Sequence, residues 1–513
     1  MKRFRTGDAK HGKRFSRIYF GALLFAVSLV ASFVTSRDVL AEDRPNIVFL
    51  FADDQCTYSM GCYGTPGAKT PNLDQLASEG VVFDRHYVST AICMASRACV
   101  MTGLYEYRHG TNFTTGNMVQ SIWEKSYPML LRESGYRTAF AGKFGFVVSQ
   151  KAGSKGKLPE DDFDRWGGGP GQTSYVTEKN ESMKEFADEY PHSTRSYGAF
   201  GADFIQESAK GDAPFCLSIS FKAPHHPVTP DPMFKDAYSG SVLVKPENFG
   251  REFGQHFAVQ SRQGRQFERF YSWNYADKYQ ETMALYYQQI YAIDYAVGMI
   301  REALQRAGCV DNTVIIYSSD NGFMCGSHGY GSKVLPYEES SCVPLIISDP
   351  RRTDLANQRC DELTCNVDIH ATILDLAGVE GGNALDGTSL LPLLENTEQP
   401  VRESVPLINV WGPKAVHSFA VVTEEGKWIY WPFQDEFTKP VSELYDMKSD
   451  RLELKNLRNV TGSETLSRKM RFAYSKELTK WKERCVTFHG YPRFSTIFDP
   501  EESWEAKAEL YSK

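Results

Sequence analysis

The segment Asn46-Ile47-Val48-Phe49-Leu50-Phe51-Ala52, followed directly by Asp53-Asp54, gives the clearest indication of the fold. A nearly continuous apolar run rich in Val, Ile and Phe is typical of a strand buried on both faces, as parallel sheets require. Similar runs recur at residues 215–221, 313–318 and 343–347. Helix-like stretches lie between them at residues 70–79, 126–134 and 279–308. The alternation predicts an α/β domain with helices on both faces of a mostly parallel central sheet.

The longest helical stretch covers residues 279–308. Gly308 is expected to end it, because glycine readily adopts the left-handed conformation of a helix C-cap. Apolar residues at helical spacing form one stripe that should face the core. This stripe consists of Leu285, Ile290, Ile293, Val297, Ile300 and Leu304.

The sequence changes in character near residue 400, which indicates a second, smaller domain. Residues 415–433 carry strand-forming side chains around Glu424-Glu425-Gly426, a pattern typical of a β-hairpin, and residues 463–484 are charged and helical. We therefore predict a large α/β domain over residues 42–400 and a small α+β subdomain with an antiparallel sheet over residues 401–513. Residues 150–195, rich in Gly, Asp, Glu and Lys, are expected to form a long surface excursion.

The N-terminus is typical of an export signal. A basic lead precedes an apolar run at residues 18–34, and Val39-Leu40-Ala41 offers small residues for cleavage. Residues 1–41 are therefore predicted to be a signal peptide of a secreted or periplasmic protein. The length of the run leaves a retained membrane anchor open as the alternative. No second apolar run is long enough to cross a bilayer, so no stable membrane span is expected after cleavage.

Net charge and cysteine content limit the classes of function that the sequence allows. A net charge of −7 on 513 residues argues against a dedicated nucleic-acid binder, which needs a basic face. Eleven cysteines is an odd number for an exported protein, where thiols are expected to pair or react. Cys360 and Cys365 are close enough in sequence to bridge one local loop. Paired Cys-x-x-Cys clusters are absent from the sequence, so a structural zinc site is not predicted.

Two acidic sites follow predicted buried strands that are far apart in sequence: Asp53-Asp54 and Asp320-Asn321. Either alone is more often a turn or a helix cap. If the two strands are neighbours in one sheet, four oxygen-bearing side chains converge at the edge where ligands collect. Such a set suits a hard divalent cation, Ca²⁺ or Mg²⁺, rather than Zn²⁺.

Cys93 lies in Cys93-Met94-Ala95-Ser96-Arg97, which we interpret as part of a polar loop between residues 87 and 102. A cation such as Arg97 can lower the pKa of a nearby thiol. A local disulfide with Cys99 is an equally good interpretation of the spacing, and spacing alone does not decide between them.

Three further basic residues stand beside predicted strand or loop ends: Lys143, His225 and Lys333. A cluster of Arg, Lys and His next to a divalent cation is what a tetrahedral oxyanion site requires, since these groups neutralise oxygens and protonate a leaving group. Taken singly, each residue is better explained as an ordinary surface or loop residue.

The ordered set of motifs resembles the sulfatase family. The resemblance covers residues 44–480 and rests on the Cys93-x-x-Ser96-Arg97 core with Thr102-Gly103 downstream, both acidic sites, and the basic segments between them. Glu443-Leu444-Tyr445-Asp446 also resembles the family's C-terminal signature. Sulfatases are similar in fold to alkaline phosphatase, so the resemblance implies that fold for the large domain.

The resemblance also implies roles for individual residues. Cys93 is converted by a formylglycine-generating maturation enzyme into formylglycine, whose hydrated aldehyde attacks sulfur and whose remaining hydroxyl later expels sulfate. The cation ligands are Asp53, Asp54, Asp320, Asn321 and the residue made from Cys93. Arg97 stabilises the formylglycine, Lys143 and Lys333 bind sulfate oxygens, and His225 helps to protonate the departing alcohol. The implied substrate is a sulfated small molecule or carbohydrate.

Three positions depart from the family pattern. Ala95 stands where Pro is usual, Leu104 where Arg is common, and Gly145 where a His usually contacts the formylglycine. Ala95 bears on how well Cys93 matures, and Gly145 leaves the role of the missing histidine to another base, such as His328 or His226.

Two alternatives remain open at this point. A phosphodiesterase or phosphonate hydrolase of the same superfamily uses a similar nucleophile and metal site. A catalytically inactive homologue that binds sulfated glycans is the second, motivated by Ala95 and Gly145. Aromatic residues at Trp166, Tyr271, Trp273 and Tyr275 fit either sugar stacking or ordinary packing.

Overall fold

Strands and helices alternate along most of the chain in the computed structural model, which describes residues 44–352, 356–382 and 385–512. The chain divides into two units after residue 44, and every element below belongs to the second. The predicted signal peptide lies outside the described residues. The strands are β1 Asn46–Ala52, β2 Val81–Phe83, β3 His86–Tyr87, β4 Met118–Val119, β5 Arg137–Lys143, β6 Val148–Ser149, β7 Gly156–Lys157, β8 Arg165–Gly169, β9 Phe215–Ser220, β10 Thr313–Ser319, β11 Leu345–Ser348, β12 Gln358–Cys360, β13 Thr364–Cys365, β14 Ser404–Asn409, β15 Ser418–Thr423, β16 Gly426–Trp431 and β17 Val441–Asp446. The helices are α1 Pro71–Ser78, α2 Cys93–Thr102, α3 Glu106–His109, α4 Gln120–Trp123, α5 Tyr127–Glu133, α6 Ser193–Ser208, α7 Arg265–Ser272, α8 Tyr279–Ala307, α9 Glu338–Ser341, α10 Val367–Leu376, α11 Leu391–Glu395, α12 Glu464–Arg484, α13 Tyr491–Ile497 and α14 Trp504–Ser512.

The central sheet has eight strands in the order β12-β2-β11-β10-β1-β9-β5-β8. The five strands from β10 to β8 all run parallel. Only β11 runs antiparallel to its neighbours β10 and β2. The prediction of a mostly parallel sheet is confirmed, with β1 at its centre.

The side chains of β1 point alternately into two apolar layers, which is why the strand is apolar throughout. Ile47, Phe49 and Phe51 pack with residues of α2, α5 and α10 on one face. Val48, Leu50 and Ala52 pack with residues of α1, α6 and α8 on the other. Every residue of β1 is buried. Helices on both faces thus hold the sheet edge that carries Asp53-Asp54.

The long helix α8 ends as predicted, with Gly308 in the left-handed conformation at φ 69°. Its predicted apolar stripe is wrong at one position. Leu285 is 43% exposed, whereas Ile290, Ile293, Val297, Ile300 and Leu304 are fully buried.

Residues 150–195 are more ordered than the predicted surface excursion. Arg165–Gly169 forms β8, which pairs parallel with β5 and closes the sheet at that edge. Trp166 stacks on Phe140 at 5.5 Å between ring centroids, so this residue packs within the domain. Pairing with β5 overrides the low strand preference of Gly167-Gly168-Gly169.

The C-terminal region forms the predicted antiparallel sheet, in the order β14-β15-β16-β17. β15 and β16 form the hairpin expected around Glu424-Glu425-Gly426, with Val422 opposite Lys427. Helix α12 packs against β15 and β16 through Met470, Tyr474 and Trp481.

All eleven cysteines carry free thiols. Cys360 and Cys365, whose spacing would allow a local bridge, are not bonded to each other: Cys360 ends β12 in the central sheet, whereas Cys365 belongs to the separate β3–β13 pair. The alternative Cys93–Cys99 disulfide is also absent, because the Cys99 sulfur lies 3.3 Å from Nε2 of His109. Within the described ranges, no helix combines the length and apolar character needed to cross a membrane.

Candidate active site

The predicted site residues converge at the carboxyl edge of the central sheet. Ala52 lies opposite Ser319 in the β1–β10 pair, so Asp53-Asp54 and Asp320-Asn321 leave the sheet side by side. Lys143 ends β5, two strands from β1. His225 follows β9, which lies between them. The hypothesis that the two acidic strand ends are neighbours is confirmed by this register.

Cys93 is the first residue of α2, and the prediction of a polar loop here is wrong. All ten residues of α2 are buried, so the helix shows no polar face from which periodicity could be recognised. The Cys93 sulfur lies 2.7 Å from Nζ of Lys333 and 3.3 Å from Oδ1 of Asp53. Burial, and then Asp320 and Asp53, raise the pKa of this thiol to about 12, so the side chain as encoded is a protonated, poor nucleophile.

Arg97, one turn after Cys93, binds the edge of the sheet through its whole guanidinium. Its Nε and Nη2 lie 2.9 and 2.8 Å from Oδ2 of Asp320. Its Nη1 donates to the carbonyl of Lys143 at 2.9 Å and also to Oγ of Ser220. A fork of donors suits this geometry, which a lysine cannot reproduce.

Gly145 explains how Arg97 reaches that position. A Cβ added at residue 145 would lie 2.5 Å from Cδ of Arg97, and the glycine has φ +94°. The position that usually carries histidine in the family is thus filled here by the stem of Arg97.

Two lysines neutralise the paired aspartates. Nζ of Lys143 lies 2.5 Å from Oδ2 of Asp53, and Nζ of Lys333 forms an ion pair with Asp54. Although burial disfavours its charged form, Lys143 and the other nearby cations hold the pKa of Asp53 well below its usual value. Burial raises the pKa of Asp54 and of Asp320. The negative charge of the neighbouring Asp53 raises both pKa values further, because like charges disfavour ionisation. A bound cation relieves this repulsion.

The oxygen donors at this edge, from Asp53, Asp54 and Asn321, suit a hard cation. Asp53, Asp54, Cys93 and His225 each present one ligand atom, and these four atoms lie within 4.8 Å of one another. Asn321 donates through Nδ2 to Asp54 at 2.7 Å, while its buried Oδ1 has no hydrogen-bond partner. An unpaired buried amide oxygen is costly unless a ligand satisfies it. Of the predicted ligands, Asp320 binds Arg97 through Oδ2, and its Oδ1 accepts from the backbone N–H of Asp54 at 3.2 Å.

His225 lies at the mouth of the pocket, with Nε2 3.8 Å from Oδ2 of Asp54. Burial lowers its pKa to about 3, so the imidazole is neutral near pH 7. The hydroxyl of Tyr175 lies 2.7 Å from the carbonyl oxygen of His225 and fixes this loop.

Neither histidine suggested as a replacement at Gly145 reaches Cys93 through any hydrogen bond of the described residues. His328 is fully buried, and its Nδ1 lies 3.0 Å from the carbonyl of Phe253. His226 stacks on Trp273 with ring centroids 3.9 Å apart.

Sequence reasoning missed Ser220 and Tyr175. Ser220 ends a strand that the sequence identifies, so its place at the carboxyl edge was a usable signal. Tyr175 comes from the segment between β8 and α6, and nothing in its local sequence indicates a contact with residue 225.

A mostly parallel sheet whose carboxyl edge gathers three aspartates, an arginine and two lysines around a buried cysteine defines a hydrolase of the alkaline phosphatase fold class. Residues 45–379 match the sulfatase family, and residues 326–482 match the C-terminal region of N-sulphoglucosamine sulphohydrolase. The chain belongs to the sulfatase family and is a sulfuric ester hydrolase.

Several relatives and solved structures resemble the chain over most of its length. An N-acetylglucosamine-6-O-sulfatase of Bacteroides thetaiotaomicron is 29% identical over 479 residues, covering 81% of this chain and 82% of the relative. The human N-acetylglucosamine-6-sulfatase is 28% identical, covering 72% of this chain and 68% of the relative. A protein solved with its substrate D-glucosamine-2-N,6-O-disulfate is 25% identical, with a TM-score of 0.73 over 86% of this chain and 99% of that one. A phosphonate monoester hydrolase of Agrobacterium radiobacter shares the fold, with 21% identity and a TM-score of 0.69 over 86% of this chain and 96% of that one.

Proposed function

We propose that the protein is an exported sulfatase that removes the 6-O-sulfate of a glucosamine-type unit in a sulfated carbohydrate. The observation that carries this proposal is the placement of Cys93 between Lys333 and Asp53 at the edge where Asp54, Asn321 and His225 also converge. Export is supported by the basic lead and apolar run of the N-terminus.

The nucleophile is proposed to be formylglycine made from Cys93 by a maturation enzyme. The high pKa of the buried thiol supports this, because an unmodified Cys93 is protonated at neutral pH. Formylglycine supplies a hydrated aldehyde: one hydroxyl attacks the sulfur of the ester, and the other drives release of sulfate by re-forming the aldehyde. Water then need not attack the sulfate directly.

A divalent cation, Ca²⁺ or Mg²⁺, is proposed to be held by Asp53, Asp54, Asn321 and the residue made from Cys93, with Asp320 contributing Oδ1, the oxygen that Arg97 does not contact. The unpaired Oδ1 of Asn321 supports this donor set. When bound, such a cation neutralises negative charge that develops on sulfate oxygens.

The remaining residues bind and orient the ester. Lys143 and Lys333 are proposed to hold sulfate oxygens, since both ammonium groups lie against the Asp53-Asp54 pair beside Cys93. Arg97 fixes residue 93 relative to Asp320. His225 is proposed to help protonate the departing alcohol, and its side chain is 20% exposed. Because the imidazole is neutral in the free site, it must first gain a proton, which the negative charge of a bound sulfate ester favours.

The substrate class follows from the relatives. Those named above act on 6-sulfated N-acetylglucosamine, and the solved protein binds a 2-N,6-O-disulfated glucosamine. Similarity at this level over four fifths of the chain supports the same class of sulfated sugar for this protein.

The test is turnover of N-acetylglucosamine 6-sulfate by protein made with a formylglycine-generating enzyme, with mass spectrometry of the residue 93 peptide. We expect conversion of Cys93 to the aldehyde and sulfate release that Cys93→Ala abolishes. Cys99→Ala is the matched control on the same buried helix and should retain activity. A thiol in every preparation together with no turnover of any sulfate ester would favour the glycan-binding alternative, and preferential turnover of a phosphonate ester would favour the phosphonate hydrolase.

A further inference from the structure

Two arginines stand one turn apart on α7, on the rim of the candidate active site. Arg265 is exposed and Arg269 is half-buried, while Gln266 and Phe270 anchor the helix in the protein. Among the described residues, neither guanidinium has a carboxylate within ion-pair distance, although most other arginines do. Like charges at this spacing repel each other, so the pair is unfavourable unless an anion joins it.

Each arginine lies over a tryptophan. The guanidinium of Arg269 is 4.1 Å from the ring centroid of Trp273, and that of Arg265 is 5.1 Å from the ring of Trp411. Stacking on an aromatic face orders the planar guanidinium and leaves its edges free to donate hydrogen bonds. We call Arg265, Arg269, Trp273 and Trp411 the arginine rim.

The arginine rim borders the candidate nucleophile on two sides. Nη1 of Arg269 donates to Oγ of Ser332 at 2.6 Å, and Ser332 precedes Lys333, whose Nζ contacts Cys93. Trp411 packs against the small cluster of Ile92, Ala95 and Val334, which flanks Cys93 and Lys333. The arginine rim is therefore protein surface that lies next to a sulfate ester bound at Cys93.

We propose that the arginine rim is a subsite for a second anionic group, a sulfate or a carboxylate, on the saccharide that carries the scissile sulfate. Guanidinium groups bind both anions through paired hydrogen bonds, and the two tryptophans hold the guanidinium planes in place. This inference rests on the proposed function and makes the enzyme selective for multiply anionic carbohydrate. Ala95 is fully buried in the cluster against which Trp411 packs.

The test compares kcat/KM for three substrates: D-glucosamine-2-N,6-O-disulfate, N-acetylglucosamine 6-sulfate, and a 6-sulfated glucosamine joined to a uronic acid. We expect the wild type to prefer one of the doubly anionic substrates roughly tenfold or more, and which one it prefers distinguishes sulfate from carboxylate. Arg265→Gln should reduce that preference by roughly tenfold, and Arg269→Gln by at least as much. Arg306→Gln, an exposed arginine paired with Glu302 on α8, is the control and should leave the preference unchanged.

Arg265→Gln keeps the inference testable if Arg269→Gln disturbs Lys333 through Ser332, because Arg265 makes no such contact among the described residues. Calorimetric binding of the disulfated sugar to Cys93→Ala, with and without Arg265→Gln, provides a readout without turnover. Equal losses on all three substrates, or an unchanged preference in both variants, would overturn the subsite. Absence of turnover on every sulfate ester by wild type would instead refute the proposed function, and the binding measurement would still report on the rim.

Discussion

Replacing Gly145 by alanine tests whether this glycine exists to admit Arg97. The added Cβ would lie 2.5 Å from Cδ of Arg97, about 1 Å short of ordinary van der Waals contact, so the arginine must move by that amount. Arg97 carries the paired contact with Asp320. A displacement of about 1 Å in a catalytic arrangement costs on the order of a hundredfold in rate. Weakening the buried pair should also remove up to about 3 kcal/mol of stability.

Gly135→Ala is the matched control. Gly135 has a similar φ, +89°, but nothing lies within 4 Å of an added Cβ. An alanine with positive φ is strained by about 1–2 kcal/mol, and this cost to stability applies to both variants. Only Gly145→Ala should lose kcat/KM on the sulfate ester, and its free energy of unfolding in urea should fall further than that of Gly135→Ala. Equal effects of the two substitutions on stability and activity would refute the role assigned to Gly145.

Three further predictions follow from the same contacts. Arg97→Lys should lower kcat/KM roughly tenfold to hundredfold, because lysine cannot bind Asp320 and the Lys143 carbonyl together. The formylglycine content of the variant must be measured in the same preparation. Undiminished activity of fully converted protein would contradict the prediction. Chelation of divalent cations should lower the Tm, and added Ca²⁺ or Mg²⁺ should restore it, because a cation at a hundredfold excess over Kd adds about 3 kcal/mol to the free energy of unfolding. An unchanged Tm would exclude a cation at Asn321. Burial raises the pKa of Glu106 to about 7 from an ordinary 4.5, so the folded state holds its proton more tightly, and stability from this group is present at low pH and lost as pH rises through 7. Glu106→Gln should therefore flatten the fall in Tm between pH 5 and 8, removing a penalty of about 3 kcal/mol at the upper end, and parallel curves for the two proteins would refute this.

Much of the fold was predictable because β1 is buried on both faces. A strand that packs against helices on either side must be apolar at every position, and this leaves an unmistakable run in the sequence. The direction of β11 was not predictable, since an apolar run such as Leu345–Ser348 does not indicate whether the strand runs parallel or antiparallel to its neighbours. Arg165–Gly169 was missed for a different reason: its glycines disfavour a strand, and only pairing with β5 imposes one.

The candidate site was predictable as a list of residues but not as an arrangement. Asp53, Asp320 and Lys143 stand at strand ends, so the parallel sheet that the sequence indicates already brings them to one edge. Cys93 was misplaced in a loop because a helix buried on all sides has no polar periodicity. The contact between Arg97 and Gly145 joins residues 48 positions apart, and no local pattern connects them.

The burial of Cys93 has a consequence for the order of events in the life of the chain. Its side chain is 1% exposed, its backbone is already helical, and Lys333 covers its sulfur. On the proposed chemistry, a modifying enzyme that binds the chain around residue 93 must therefore act before α2 forms, because all ten residues of this helix are buried. A chain that folds first keeps its thiol and stays inactive, however long the enzyme is present afterwards. The specific activity of a preparation then depends on how fast Cys93 is oxidised relative to how fast the chain folds. It should rise when folding is slowed and stay constant once folding is complete.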